Sequence, residues 1–257
     1  MATLEGSEMT PDHHQDVQPA KEGTVFSDPY RSHMYDDLEV DTEWRHGGPP
    51  GYEAVNALFE QGRTRVWPKG SLEEIVQNLV KSWEMELSHK MRASDFKTID
   101  PQRFTLSANG GEKLTAQETL KVGSYNALLA TALPGEHEDY KATQETFDSS
   151  HDVFRTTFPG GFAWEVLEVY SGPPTVAFKW RHWGQMEGAF KGHAPTRDVA
   201  VSIGTCVAKV DENLKIVELE VYYDPTQFLG HLTKLPKSQE YGEYKQGIEG
   251  CPFSSLT

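Results

Sequence analysis

The chain has 257 residues, 37% of them hydrophobic, enough to bury the core of one large domain or two small ones. Its formal net charge of −15 excludes nucleic acid and argues against an anionic membrane surface, because both would repel it. The sequence has no apolar run near the roughly 20 residues of a membrane helix, and no signal-peptide pattern at its start. Two cysteines, Cys206 and Cys251, are too few for a disulfide framework, so we expect a cytoplasmic protein without membrane insertion.

The charge is concentrated at the N-terminus. Residues 1–43 contain eleven acidic and two basic residues, a net charge of −9, which leaves −6 for the remainder. With scattered prolines and few large aliphatic residues, this segment cannot bury enough surface to offset the entropy of ordering, so residues 1–41 are predicted to be a disordered acidic tail. The adjacent pair His13 and His14 lacks further ligands, and no metal or cofactor site is predicted.

Helices are predicted in the first half of the chain. Ser71 and Glu74 form a capping box ahead of apolar residues spaced three and four apart, which indicates a helix over 72–90. Thr115 and Glu118 form a second capping box. The predicted helices are a short one around 52–59, then 72–90, 115–132 and 141–157.

Strands dominate the second half. Period-two alternation predicts strands at 176–182, 199–210 and 214–223. Residues 162–170 are also strand-like, although both faces are mixed, and 103–108 are predicted to be a strand or an extended segment. Helices followed by antiparallel strands indicate an α+β fold, in which a curved antiparallel sheet wraps around the N-terminal helices and leaves a cavity. We expect this domain to span 42–232, with a C-terminal tail at 233–257.

Several motifs carry a family resemblance. The pattern Phe178-Lys-Trp-x-x-x-Gly-x-x-x-Gly-x-Phe-x-Gly-x-x-Pro-Thr196, with Asp211-x-x-Leu-Lys-Ile-x-Glu218, resembles the SnoaL-like branch of the nuclear transport factor 2-like superfamily. The plant pathogen-related protein family is a closer resemblance. Its motifs are matched by Trp67-Pro-x-Gly-Ser-Leu-Glu-Glu74, Trp83-Glu-Met-Glu86, Tyr125-Asn126 and His182-Trp-Gly-x-Met-Glu-Gly188. The resemblance covers about 42–232 and implies an α+β cone, often dimeric through its sheet.

The resemblance also implies a missing catalytic group. SnoaL-type cyclases use an Asp base with a nearby His on the last strand. When the last strands are matched residue by residue, the Asp corresponds to Val221 and the His to Leu219. Both are aliphatic here, whereas a base must be titratable, so we predict that this base is absent. A one-residue slip would instead place Glu218 or Glu220 in the pocket, at the cost of exposing the apolar face.

The predicted pocket wall combines the inward faces of two strands with one helix. We expect the ligand contacts to be Trp180, His182, Leu219, Val221, Tyr223 and Trp83. His182 ends an apolar strand face and is the candidate acid/base; its alternative role is that of a hydrogen-bonded structural histidine. Asp224 before Pro225 is expected to cap a final helix.

Three functions remain open, and the missing base favours a non-catalytic one. The first is binding of an apolar small molecule, or an accessory role in plant defence or specialised metabolism. The second is an isomerase, cyclase or dehydratase that acts on an apolar metabolite through His182. The third is a protein-interaction module that assists pathway enzymes, with a homodimer formed through the sheet and a basic partner for the acidic tail.

Overall fold

The computed structural model describes residues 27–35, 41–130 and 139–237. Residues 1–26, 36–40, 131–138 and 238–257, which include His13, His14 and Cys251, lie outside this description. The helices are α1 Glu53–Gly62, α2 Leu72–His89, α3 Ala116–Val122, α4 Ser124–Leu129, α5 Phe147–Thr157 and α6 Pro225–Leu232. The strands are β1 Thr105–Ala108, β2 Leu114–Thr115, β3 Ala163–Ser171, β4 Thr175–Gln185, β5 Val199–Val210 and β6 Ile216–Tyr223. None of the helices within these ranges is long and apolar enough to span a membrane.

The strands form one open sheet in the order β2-β1-β6-β5-β4-β3. The α+β class is confirmed, but the sheet is mixed rather than antiparallel throughout, since β1 pairs with β6 in parallel. The strands from β3 to β6 pair antiparallel with their neighbours in chain order. The connections from β3 to β4 and from β5 to β6 are too short for a parallel crossover, whereas residues 186–198 join β4 to β5. No such connection joins β1 to β6, so their relative direction is not constrained in that way.

Two predicted helices begin or end differently in the structure. The helix expected over 115–132 is broken at Gly123, whose φ of +89° lies outside the helical region and separates α3 from α4. The helix expected from 141 begins at Phe147, after a short 3₁₀ turn at Ala142–Gln144. Thr146 and Ser149 form the capping box that fixes this start.

The inner face of the sheet packs against α2. Its residues Val76, Val80, Trp83 and Leu87 lie in a buried cluster with inward side chains of β1, β3, β4, β5 and β6. On β5 the small side chains face inward, whereas Val199 and Ile203 are exposed. The small residues make room for aromatic rings, since a Cβ on Gly204 would lie 2.5 Å from the Trp180 ring.

One edge strand is tied to the helical layer by side chains. On β3, the Val166 amide donates to Gln77 Oε1 at 3.2 Å, and the Trp67 indole donates to the Val166 carbonyl at 3.0 Å. Glu165 of the same strand is fully buried and pairs with Arg181 at 2.9 Å. These bonds fix β3 against α2 and the segment that precedes it.

Residues 27–35, which we call the N-terminal strap, lie against α1 and α2. Asp28 and Arg31 form an ion pair of 3.3 Å, and Asn56 of α1 bonds to both side chains at 2.8 Å. Arg31 and Met34 of the strap are buried. The division into tail, domain and second tail stays a prediction, but the strap within the predicted tail carries buried side chains.

Candidate functional site

Four of the six predicted ligand contacts are buried in the hydrophobic core. Trp83, Trp180, Leu219 and Val221 face inward and are at most 5% exposed. Leu219 borders an apolar cavity of about 30 Å³, far below the several hundred cubic ångströms of a typical ligand pocket. Their inward orientation follows the predicted register, while Glu218 on the opposite face pairs with Lys113 and with Lys209. The cavity that borders Leu219 is therefore too small for a ligand, and the predicted ligand contacts stay a prediction.

The remaining two contacts have hydrogen-bond partners within the protein. The Tyr223 hydroxyl donates to the Leu128 carbonyl at 2.8 Å, and its ring lies 5.7 Å from that of Trp180. His182 Nε2 lies 3.3 Å from the Phe162 carbonyl, and burial lowers the pKa of His182 to about 3. A neutral imidazole that donates to a carbonyl is a poor general acid at neutral pH. This environment resembles that of a structural histidine.

A partly buried carboxyl group that the sequence analysis did not single out lies on α2. Glu84 is on α2, and burial raises its pKa to about 7, although Arg31 and Lys81 oppose this shift. Its side chain keeps some accessible surface. It forms neither a hydrogen bond nor an ion pair with any residue in the described ranges. Burial is the largest cause of the shift in its pKa, and Glu84 is only partly exposed to water.

Two tyrosines and a cysteine interact electrostatically with Glu84. Burial raises the pKa of Tyr125, with Glu84 and Tyr52 adding to the shift, and raises that of Tyr52 to about 12. Burial also raises the pKa of the Cys206 thiol, with a smaller contribution from Glu84. Cys206 belongs to the α2 cluster, whereas Tyr125 packs against a second cluster around α5 and α6. We call these side chains, together with Glu84, the Glu84 site.

The Glu84 site offers hydrogen-bonding groups that the protein leaves unused. The Tyr125 ring stacks on Phe154 at 4.2 Å, while its hydroxyl has no hydrogen-bond partner within the described part of the chain. One turn earlier on α2, Lys81 Nζ lies 3.0 Å from the Phe59 ring centroid and has no acceptor among the same residues. Burial lowers the pKa of Lys81 to about 7. The arrangement can hold the polar group of an otherwise apolar ligand.

Histidines lie beyond Tyr52. The His89 ring is 6.0 Å from that of Tyr52 and 6.3 Å from that of His46, and burial lowers the pKa of His89 to about 3. Across the described ranges, no three His, Cys, Asp or Glu side chains are placed to share a metal ion.

A larger, open cleft of about 710 Å³ lies between α3, α4 and the segment that leads into α5. Its buried polar side chain, Asn126, is fully used: the amide donates to the carbonyls of Val122, Glu145 and Thr146, and its oxygen accepts from Tyr140. This cleft therefore lacks the unused buried polar group that distinguishes the Glu84 site.

The titration of Glu84 has a measurable consequence for stability. Its pKa is 4.5 ordinarily and about 7 in the fold, so the folded state holds more protons than the unfolded state between these values. Stability therefore falls as pH rises through this window. Glu84→Gln does not titrate, and we expect it to be more stable than the parent by about 1–3 kcal/mol above pH 7 but not at about pH 4.

Urea denaturation at both ends of the window measures this difference. Glu187→Gln, at an exposed position, is the matched control and should show no such pH dependence. A Glu84→Gln difference that stays constant from about pH 4 to about pH 8 would contradict the raised pKa.

A barley (Hordeum vulgare) protein named pathogen-related protein is 46% identical to this chain over 227 residues, which cover 88% of the chain and 94% of the barley protein. The chain belongs to the pathogen-related protein family. The predicted relation to this family is thereby confirmed. No protein-family model matches the chain. Two of the family's motifs, Trp83–Glu86 and Tyr125-Asn126, contain the unpartnered groups of the Glu84 site.

Solved structures give a weaker likeness to this pathogen-related protein. A SnoaL-like polyketide cyclase from Jannaschia is 13% identical and covers 66% of the chain and 100% of its own, with a TM-score of 0.38. An NTF2-like protein from Burkholderia thailandensis is 16% identical and covers 54% of the chain and 82% of its own, with a TM-score of 0.30. Likenesses of this size do not bear on substrate or reaction.

Proposed function

We propose that this pathogen-related protein binds a small, mainly apolar molecule at the Glu84 site. The observation that carries the proposal is the Glu84 carboxyl, which lies inside the fold without a hydrogen bond or ion pair to any described residue. A buried polar group without a partner is costly, and native proteins usually provide one. A ligand oxygen bound to Glu84 and to the Tyr125 hydroxyl would remove that cost.

In this proposal, the residues that the sequence predicted as ligand contacts support the structure around the site. Trp180 and Tyr223 form the wall beside Cys206, while Leu219, Val221 and Trp83 hold the sheet against α2. His182 fixes Phe162 rather than a substrate. We favour a non-catalytic role, as a binding or accessory protein of plant defence or specialised metabolism, over a reaction that depends on His182.

Native mass spectrometry of the protein purified from its source cells tests this function. We expect an adduct of one defined mass in the parent and in Glu60→Leu, a change at an exposed glutamate of α1. Glu84→Leu should lose the adduct, because it removes the polar anchor while keeping apolar volume. An adduct that persists in Glu84→Leu, or that is absent from the parent, would refute binding at this site.

The same spectra test a proposed homodimer. The outer face of β5 and β6 exposes apolar side chains, with Val199 53%, Ile203 47% and Tyr222 40% exposed. Exposed apolar groups that cluster on one face are typical of association surfaces. We expect the dimer mass in the parent and the monomer mass in Ile203→Glu, and a parent that is monomeric would refute the dimer.

A further inference from the structure

The outer face of the sheet carries a basic and an acidic side chain on opposite sides of β5. On β4, Lys179 lies beside Thr205 of β5. On the other side of β5, Glu220 of β6 lies beside Val207, and Tyr222 lies beside Thr205. These side chains share the face opposite the hydrophobic core, because directly paired residues point the same way and alternate residues share a face. The uncharged residues of β5 therefore separate a basic side chain from an acidic one.

These two charges have no close partner of opposite sign. Lys179 and Glu220 are partly exposed and form no ion pair with any residue that the structure describes. Glu168 of β3 is paired with Lys179 in the register, but the two side chains do not come within ion-pair distance. By contrast, Arg181 of the same face is paired with the buried Glu165 at 2.9 Å. Lys179 and Glu220 are thus charges that a partner can pair.

One part of this face is already covered by α1. Phe59 of α1 packs against Trp183 of β4, with ring centroids 6.3 Å apart, and Val201 of β5 packs against the same cluster. Further along, Ile203 of β5 is 47% exposed and Tyr222 of β6 is 40% exposed. A second copy can therefore reach the face around Ile203 and Tyr222, next to the two unpaired charges.

We propose that two copies pack these outer faces together about a two-fold axis parallel to β5, so that Lys179 of each copy pairs with the partner's Glu220. This inference rests on the proposed homodimer. A rotation about that axis places β4 over the partner's β6, which brings opposite charges together. A rotation about an axis perpendicular to the strands would instead place β4 over β4 and β6 over β6, where like charges disfavour association.

The dimensions of packed sheets allow this pairing. Facing sheets lie roughly 10 Å apart, and Lys179 and Glu220 occupy neighbouring rows that are roughly 7 Å apart along the strands. A lysine and a glutamate that extend toward each other can bridge this separation. Aligned sheets cross at about 30°, an angle small enough to keep β4 over the partner's β6 near the centre of the face.

Charge reversal tests the pairing. Sedimentation equilibrium of the full chain at low ionic strength, where surface charges are least screened, gives the Kd of the dimer. Lys179→Glu and Glu220→Lys each place like charges opposite one another, and each should raise this Kd at least about tenfold. An equimolar mixture of the two variants should recover a Kd near that of the parent, because every facing pair again joins opposite charges. Recovery on mixing cannot come from variants that fail to fold.

The matched controls are Lys69→Glu and Glu187→Lys, which make the same changes in net charge at exposed positions outside this face and should leave the Kd unchanged. If the parent is monomeric throughout the concentration range, the proposed homodimer fails and this inference fails with it. If the parent dimerises but the single variants dimerise equally well, or their mixture does not recover the Kd, the orientation inference alone fails.

Discussion

Replacing Glu86 by Ala is expected to lower the free energy of unfolding by about 3–5 kcal/mol, because it breaks a buried ion pair. Glu86 and Lys90 of α2 are at most 1% exposed, and their side chains lie 3.1 Å apart. The Glu86 carboxylate also accepts hydrogen bonds from the Lys97 amide at 2.6 Å, the Thr98 amide at 3.1 Å and the Thr98 hydroxyl at 2.6 Å. The substitution would leave these donors and the buried ammonium without their carboxylate.

Chemical denaturation measures the decrease in the free energy of unfolding. Two further variants test whether the buried ion pair is its cause. Asp152→Ala breaks the exposed pair with Arg155 on α5 and should cost no more than about 0.5 kcal/mol. Glu86→Gln/Lys90→Met removes both charges and should recover part of the stability lost in Glu86→Ala. A cost below about 1 kcal/mol for Glu86→Ala would show that water reaches this pair.

Gly188→Ala is expected to destabilise the fold by at least about 3 kcal/mol. A Cβ at Gly188 would overlap the Thr156 carbonyl oxygen and lie 2.8 Å from its carbon. These are backbone atoms of α5, which cannot move aside as a flexible side chain would. The loop after β4 is also bonded there, since the Gly188 amide donates to the Thr157 carbonyl at 3.1 Å.

Gly230→Ala is the comparison for this substitution. Gly230 lies within α6 and has nothing within 4 Å of its Cβ position. An alanine there should stabilise the protein by about 0.5–1 kcal/mol through its helix propensity and lower unfolded-state entropy. Thermal and urea unfolding of the two variants should therefore move in opposite directions. Equal effects would contradict the steric account of Gly188.

Local patterns in the sequence predicted most elements of this fold. The Ser71 cap and the apolar stripe behind it define α2, and alternation defines β4, β5 and β6, because each signal depends on neighbours in the chain. The parallel pairing of β1 with β6 could not be predicted in the same way. It joins residues more than a hundred positions apart, with no local pattern to record it.

The site shows the same division between local and tertiary information. Alternation predicted correctly that Leu219 and Val221 face inward, but the space in front of them depends on how α2 and the Trp180 ring fill the cone. Glu84 was missed because a polar residue beside an apolar stripe normally reads as a solvated helix face. Its burial depends on tertiary packing, which brings Arg31 of the strap and Tyr125 of α4 within electrostatic range of it.

The side chains that hold β3 restrict how this protein can assemble. An edge strand with free backbone groups can recruit a strand from another chain and so propagate polymers. At Val166 both backbone groups are already bonded, by Gln77 and Trp67, so strand addition is blocked at that point. A second copy therefore cannot extend the sheet by regular strand pairing across Val166, and this interruption limits edge-to-edge polymerisation at β3.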